Sequence, residues 1–421
     1  MNAVGGKLTK LEKYWVLYDV GNSAFVLLIS TIIPIYFKNL AQANGVSAAN
    51  STAYWGYSIS LATLIVAILG PILGTLADTK GYKKPLFTLI MMLGVLGCAA
   101  LALPLSWILF LAVFVIAKVG LSSSMIFYDS MLSDITTDER MDRVSTSGYA
   151  WGYIGSCIPF TISLLLILFA EKLSLTASFA TGIAFVLNAA WWFLVTLPLL
   201  KNYKQIHYIE VEKHPFKKAM QRLGGVFKDI KKQKEIFVFL LAFFFYIDGV
   251  YTIIDMATSY GKDVGISDNQ LLFALLLTQV VAFPCAILFG RLSQKYKTKD
   301  LINVCIVGYF LITAFALQLD KAWEFWFLAV CVAMFQGAIQ SLSRSYYAKI
   351  IPKEKSSEYF GFYDIFGKGA SFTGTILMGI FTQITGTSKA GVALICLMFI
   401  LGFIIFQQAT RIQRQEVSLN G

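Results

Sequence analysis

Runs of about twenty apolar residues recur along the chain, divided by short polar stretches. They fall near residues 15 to 37, 54 to 77, 85 to 104, 107 to 128, 148 to 170 and 178 to 200, then near 236 to 260, 270 to 290, 301 to 319, 323 to 343, 361 to 383 and 390 to 409. A span of that length covers the hydrocarbon core of a bilayer as an α-helix. The pattern predicts an all-α membrane protein of twelve transmembrane helices, with residues 1–200 and 236–421 forming two six-helix bundles. Residues 201–235 form the one long hydrophilic connection, read as a solvated basic linker that holds both histidines, His207 and His214.

Internal matches support two related halves. After the second run the chain reads GTLADTKGYKK from Gly74, and after the eighth GRLSQKYKTKD from Gly290. Ile135 before TTDE corresponds to Ile351 before PKEK at the same separation, and Tyr18-x-x-Gly21 corresponds to Tyr246-x-x-Gly249. Parallel repeats of this kind build many transporters.

Composition agrees. Of 421 residues, 57% are hydrophobic and 14% charged, far from the charged quarter of an ordinary soluble domain. Little chain is left for a large soluble enzyme domain. The net charge of +11 comes from 35 Lys and Arg against 24 acids. Sorted by alternate loops, 28 of the 35 lie on the side of the termini, 5 on the other side and 2, Lys118 and Lys368, inside spans. By the positive-inside rule both termini are cytoplasmic, in the plasma membrane if the protein is bacterial. Topology therefore accounts for the charge without a nucleic-acid partner. The six cysteines lie singly in apolar runs, which predicts packing rather than disulfides or a metal site.

Charge inside a bilayer is expensive and persists where it faces a bundle interior or an aqueous path. Helical spacing collects the polar residues of several spans into stripes. These are Asp19, Asn22, Ser23 and Ser30 in span 1; Lys118, Ser122 and Asp129 in span 4; and Asp248, Thr252, Asp255 and Ser259 in span 7. Gln336, Gln340 and Ser343 follow in span 10, and Asp364, Lys368, Ser371 and Thr375 in span 11. By depth, Lys118 and Asp248 lie about 16 to 18 Å in, near the midplane, whereas Asp19 and Asp364 lie about 6 Å from the terminus-side ends, as interfacial or gating charges would. Gly148, Gly152 and Gly155, and Gly70 with Gly74, have the spacing of close helix contacts. No phosphate-binding loop, cofactor site or nucleophile–base pair is apparent, so neither a primary pump nor an enzyme is expected.

The segment Gly74, Asp78, Gly81, Lys83, Lys84 resembles the signature between spans 2 and 3 of the major facilitator superfamily, with lysine where arginine is usual. YDVGNSAF from Tyr18 with Pro34-Ile35-Tyr36-Phe37, QSLSRSYYAKIIP from Gln340 and EYFGFYDIFGK from Glu358 are similar to the vacuole-effluxer branch, which includes yeast vacuolar amino-acid exporters and bacterial relatives. The chain departs from that branch at Val20 and Gly21 and at Lys118. The resemblance implies the major facilitator fold, with the signature loop as a charge cluster that holds the halves together in one state and releases them in another.

The reading is a single-subunit secondary transporter working by alternating access. A small solute, with protons as the coupling ion and amino-acid export as the finer expectation, would pass Asp19, Asn22, Lys118, Asp248, Asp255, Gln336, Gln340, Asp364 and Lys368. No cofactor is expected, and the surrounding partner is membrane lipid. The competing readings are a lipid translocator and a non-transporting membrane sensor.

Overall fold

The structure, a computed structural model, describes residues 6–211, 229–263, 267–319, 321–385 and 388–420, with isolated positions between 212 and 228. His214 and the side chains of Asp255, Ser259 and Thr375 lie outside the described residues. Thr9 starts the first helix with a reciprocal cap, its hydroxyl accepting from the Glu12 amide and the Glu12 carboxylate accepting from the Thr9 amide. Helix α1 (Lys10–Ser30) stops at Thr31 and α2 (Ile32–Ala43) resumes the same span. Pro34 explains the interruption, since its ring crowds the carbonyl of Ser30 and it has no amide hydrogen to give.

The remaining amino-terminal helices are α3 (Ala48–Ala77), α4 (Lys83–Ala100), α5 (Trp107–Ser130), the one-turn α6 (Leu132–Ile135), α7 (Asp138–Leu168) and α8 (Ala177–Asn202). The carboxy-terminal helices are α9 (Lys234–Asp263), α10 (Asp268–Leu292), α11 (Thr298–Ala316), α12 (Ala322–Ile350), α13 (Ser356–Thr385) and α14 (Ser388–Asn420). Among the described residues, 11 helices are long and apolar enough to cross a membrane. The twelfth span, α13, carries Glu358, Asp364 and Lys368 and falls outside that set.

Helices α1, α7 and α8 pack on one another, as do α3, α4 and α5; in the second set α9 packs on α13 and α14, and α12 on α10 and α11. Two seams join the sets: α3 and α5 against α13, and α7 against α10 and α12. Small residues set these distances, as the sequence pattern foretells. A side chain at Gly155 would meet Val20 and one at Gly152 would meet Ser23, so the glycine stripe of α7 lies against α1. In lipid there is no hydrophobic gain from helix association, and close backbone packing takes its place.

Several helices run past the apolar limits the hydropathy pattern sets. The fifth begins at Asp138 rather than near 148, the tenth continues to Ile350 rather than 343, and the eleventh begins at Ser356 rather than 361. These added turns are rich in serine, tyrosine and charge and leave the hydrocarbon on the terminus side. They carry the contacts between the two helix sets.

Candidate functional site

The hydrogen bonds and ion pairs across the seams cluster at the face where the chain begins, while farther along Tyr153 of α7 packs with Ala282 and Ala333 and Trp151 meets Phe283. Arg344, near the end of α12, is buried. Its guanidinium donates to Asp129 Oδ1 of α5 at 2.9 Å and reaches Asp19 Oδ2 of α1 at 3.5 Å. It also donates to the Ser145 hydroxyl at 2.9 Å and the Ser145 carbonyl at 3.0 Å, both on α7. Three rings surround its Cζ, with centroids at 4.6 Å for Tyr149, 4.7 Å for Trp15 and 5.4 Å for Tyr128. The Tyr128 hydroxyl donates to Asp19 Oδ2 at 2.8 Å. Gly148 makes room, because a side chain there would strike Asp19 and press on Arg344. Guanidinium suits such a place, having five planar donors and a weakly hydrated face that stacks on rings.

One helical turn nearer the terminus face lies a second node. Asp142 of α7 accepts from the hydroxyls of Ser345 and Thr298, both at 2.6 Å, and from Lys349 at 2.7 Å. The Ser145 hydroxyl donates to the Ser341 carbonyl at 2.7 Å. Farther out, Lys353 pairs with Asp138 at 2.9 Å while the two side chains are 34% and 44% exposed, a geometry worth under about 1 kcal/mol.

The signature loop forms the other seam. Asp78 caps α3 and is buried, and its two oxygens accept the backbone amides of Ser357 and Glu358, each at 2.9 Å. A carboxylate from one half thus closes the positive N-terminus of α13 in the other half. Gly74 permits the approach, since a side chain there would collide with the Ser357 carbonyl. The Ser130 and Ser357 hydroxyls meet at 2.9 Å. Lys83, fully buried, donates to the Ser356 hydroxyl at 2.9 Å and stands 3.6 Å from Asp134 and 3.9 Å from Asp78. Gly81 has φ of +79°, a turn that favours glycine, and Lys84 is half-buried in the first turn of α4.

Burial raises Asp78 to about 6 even though the Lys83 ammonium and the Ser357 and Glu358 amides pull the other way. Burial acts on Asp134 in the same sense, but there Lys83, His207 and Tyr203 prevail and hold it below the usual carboxylate value. Asp134 owes two of those partners to the segment after α8. The Tyr203 hydroxyl donates to it at 2.6 Å, and the His207 amide and ring Nδ1 lie at 2.9 Å. Ile209 pairs with Thr79 in a short parallel bridge, and Gln205 accepts from the Gly81 amide at 3.0 Å. This corrects the reading of the connection as solvated from residue 201. Its first part, through residue 210, is strapped to the signature loop.

The remaining candidates are dispersed. Asp19 stands in the Arg344 cluster, while Asn22 is buried and donates within its own helix to the Tyr18 carbonyl. Lys118 is half-buried on α5, eleven residues or about 16 Å along the axis from Asp129. Asp248 is fully buried against Gly374 of α13; Thr252 donates to its Oδ1 at 3.3 Å and its Oδ2 has no hydrogen-bond partner among the described residues. Asp364 and Lys368 pair within α13 at 2.5 Å. Gln340 donates to the Gln336 carbonyl at 3.1 Å. Gln336 and Thr252 also line a cavity of about 150 Å³ inside the second helix set, walled by Leu271, Phe325, Met378 and Val392.

Sequence reasoning missed Arg344 as a buried charge because the apolar run ends at 343, one residue before it, and so it was counted with the loop cations. Asp129 was on the polar stripe of span 4 yet was not placed on the path. Asp142 and Asp134 lie in stretches that read as loop. A signal was available for Arg344 in the serine- and tyrosine-rich QSLSRSYY, which is too polar for lipid yet has no glycine or proline to end a helix.

Residues 9–417 match the family model described as "Vacuole effluxer Atg22 like". The chain is 44% identical to the uncharacterized MFS-type transporter YxiO of Bacillus subtilis, over 98% of this chain and 99% of that protein. Among solved structures it resembles the human organic anion transporter MFSD10 with a TM-score of 0.72 at 14% identity, covering 94% of this chain and 99% of that one. It also resembles the transporter FucP in its outward conformation, with a TM-score of 0.71 at 14% identity over 95% and 97% of the two chains. The fold is that of the major facilitator superfamily, the chain is an integral multi-pass membrane protein and a secondary transporter of some solute, and it belongs to the Atg22-like vacuole-effluxer family.

Proposed function

We propose that the protein moves a small solute by alternating access, the bodies 1–200 and 236–421 rocking about a path between them, with both termini cytoplasmic. The observation that carries this reading is the polar seam, whose charge pairs, hydroxyl pairs and helix cap all sit on one face. The hydroxyl pair and the helix cap exchange with water at little net cost when they part, unlike an interdigitated apolar core, and only the buried Arg344 pairing carries a larger cost. The conformation described is then the one shut toward the cytoplasm, and FucP's outward conformation is in keeping with that.

The solute class is read from Asp248 and the cavity beside it. A buried carboxylate oxygen without a partner among the described residues calls for a cation or a proton, and Thr252, which donates to Asp248, lines a cavity walled mostly by apolar side chains. An amino acid with an apolar side chain meets both demands, and the family's description as effluxers supports outward movement. Asp248, with Asp255, Lys118, Gln336 and Gln340, would line the path. Asp364 and Lys368, already paired, would take part by parting. Protons are the proposed coupling ion.

Counterflow of radiolabelled amino acids into proteoliposomes tests this. Wild type should exchange those with apolar side chains, and Asp248→Asn should lose at least about tenfold in rate, about 1.4 kcal/mol of barrier. Equal rates for Asp248→Asn across pH 5 to 8 would remove Asp248 from the path.

A further inference from the structure

The guanidinium of Arg344 comes from the carboxy-terminal half, yet its hydrogen bonds and ring contacts go to α1, α5 and α7 of the other half. We propose that Asp19, Asp129, Trp15, Tyr128 and Tyr149 form a binding site for an organic cation of the alkylguanidinium or alkylammonium class, which Arg344 fills while the seam is shut and vacates as it opens. The inference rests on the alternating-access reading given above.

The site is built without help from Arg344. Trp15 and Tyr128 stack at 4.3 Å, the Trp15 ring nitrogen donates to the Tyr128 carbonyl at 3.0 Å, and the Tyr128 hydroxyl holds Asp19. One turn earlier, Arg140 grips both oxygens of Glu12 at 2.8 and 2.6 Å and fixes the start of α1 against α7. When the halves part, these elements keep their places relative to one another and two carboxylates lose their counter-ion. Leaving both charged in a pocket walled by rings is costly, and a bound cation removes the cost. Ring faces on two sides and a carboxylate in hydrogen-bond reach select a planar, weakly hydrated donor over an inorganic ion. Only one cation fits at a time, so an outside cation competes with Arg344 and favours the open state.

The test uses the full chain in lipid nanodiscs and methylguanidinium as the probe, with methylurea and sodium chloride at equal concentration as controls, read by thermal unfolding and calorimetry. Arg344→Ala should bind methylguanidinium at least about tenfold more tightly than wild type, whose site is occupied for most of the time. Arg344→Ala with Asp129→Asn should lose that gain. Gly74→Ala, whose added methyl collides with the Ser357 carbonyl across the seam and which keeps Arg344, should bind at an intermediate level, and it decides the matter if Arg344→Ala does not fold. Binding no tighter in Gly74→Ala and Arg344→Ala than in wild type, or equal binding by the double variant, overturns the inference. Counterflow separates the two ideas: exchange of some solute with no cation binding leaves transport standing and removes this site. Cation binding by a protein that exchanges nothing removes the transport reading.

Discussion

Arg344 cannot be traded for lysine. An ammonium keeps the charge but gives up the fork toward Asp129 and Ser145 and the flat face between Trp15 and Tyr149, for about 2 kcal/mol. Arg344→Lys should therefore lower the thermal midpoint and slow exchange. Arg344→Ala should do more, at about 3 to 5 kcal/mol, because it strands Asp19 and Asp129. Combining it with Asp129→Asn should recover part of the midpoint, and scanning calorimetry of the three proteins checks the order. A midpoint for Arg344→Lys equal to wild type would mean that the rings contribute nothing. At the same scale, Lys353→Ala should change neither stability nor rate, since its partner is half in water.

At the scale of elements, the N-terminus of α13 is held by a carboxylate from the other half, which links closing to pH. Released into water, Asp78 returns to its ordinary 3.8, whereas in the shut seam it stands at about 6. Closing therefore takes up a proton between these values, and the shut state gains as pH falls through about 6 toward 4. Asp134 takes no part in this link, since Lys83, Tyr203 and His207 belong to its own half and stay with it. Measured relative to the same cysteine in the unfolded protein, which cancels the loss of thiolate with falling pH, labelling of a cysteine placed on the terminus face should slow from pH 7 to pH 5 in wild type and stay level in Asp78→Asn. A level response in wild type would break the link.

The apolar spans and the glycine stripe of α7 were legible because a bilayer imposes length and apolarity on every crossing. The signature loop was legible through its motif. What escaped was the set of helical turns beyond the hydrocarbon, residues 138–147, 344–350 and 356–360. There lipid no longer constrains composition, and helices of serine, tyrosine and charge resemble loops. The strap at 203–210 escaped as well, since Tyr203, His207 and Ile209 find their partners 69 to 130 positions earlier.

At the scale of the whole molecule, the two helix sets meet at the terminus face through hydrogen bonds and ion pairs, and locking that face should stop transport. Ser130 and Ser357 present their hydroxyls to each other from opposite halves at 2.9 Å. In a background without the six native cysteines, Ser130→Cys with Ser357→Cys should cross-link under mild oxidation, abolish counterflow and regain it on reduction. Full activity of the cross-linked protein would show that the seam does not open during the cycle.

The strap also bears on how the protein is made. Asp134 gathers Lys83, Tyr203 and His207 within the first 210 residues, so this layer is complete while the second half is still being synthesised. Asp129 must wait for Arg344, 215 positions later. The nascent amino-terminal half thus enters the membrane with one charge cluster finished and another short of its counter-ion, and the tenth helix to emerge brings the balance.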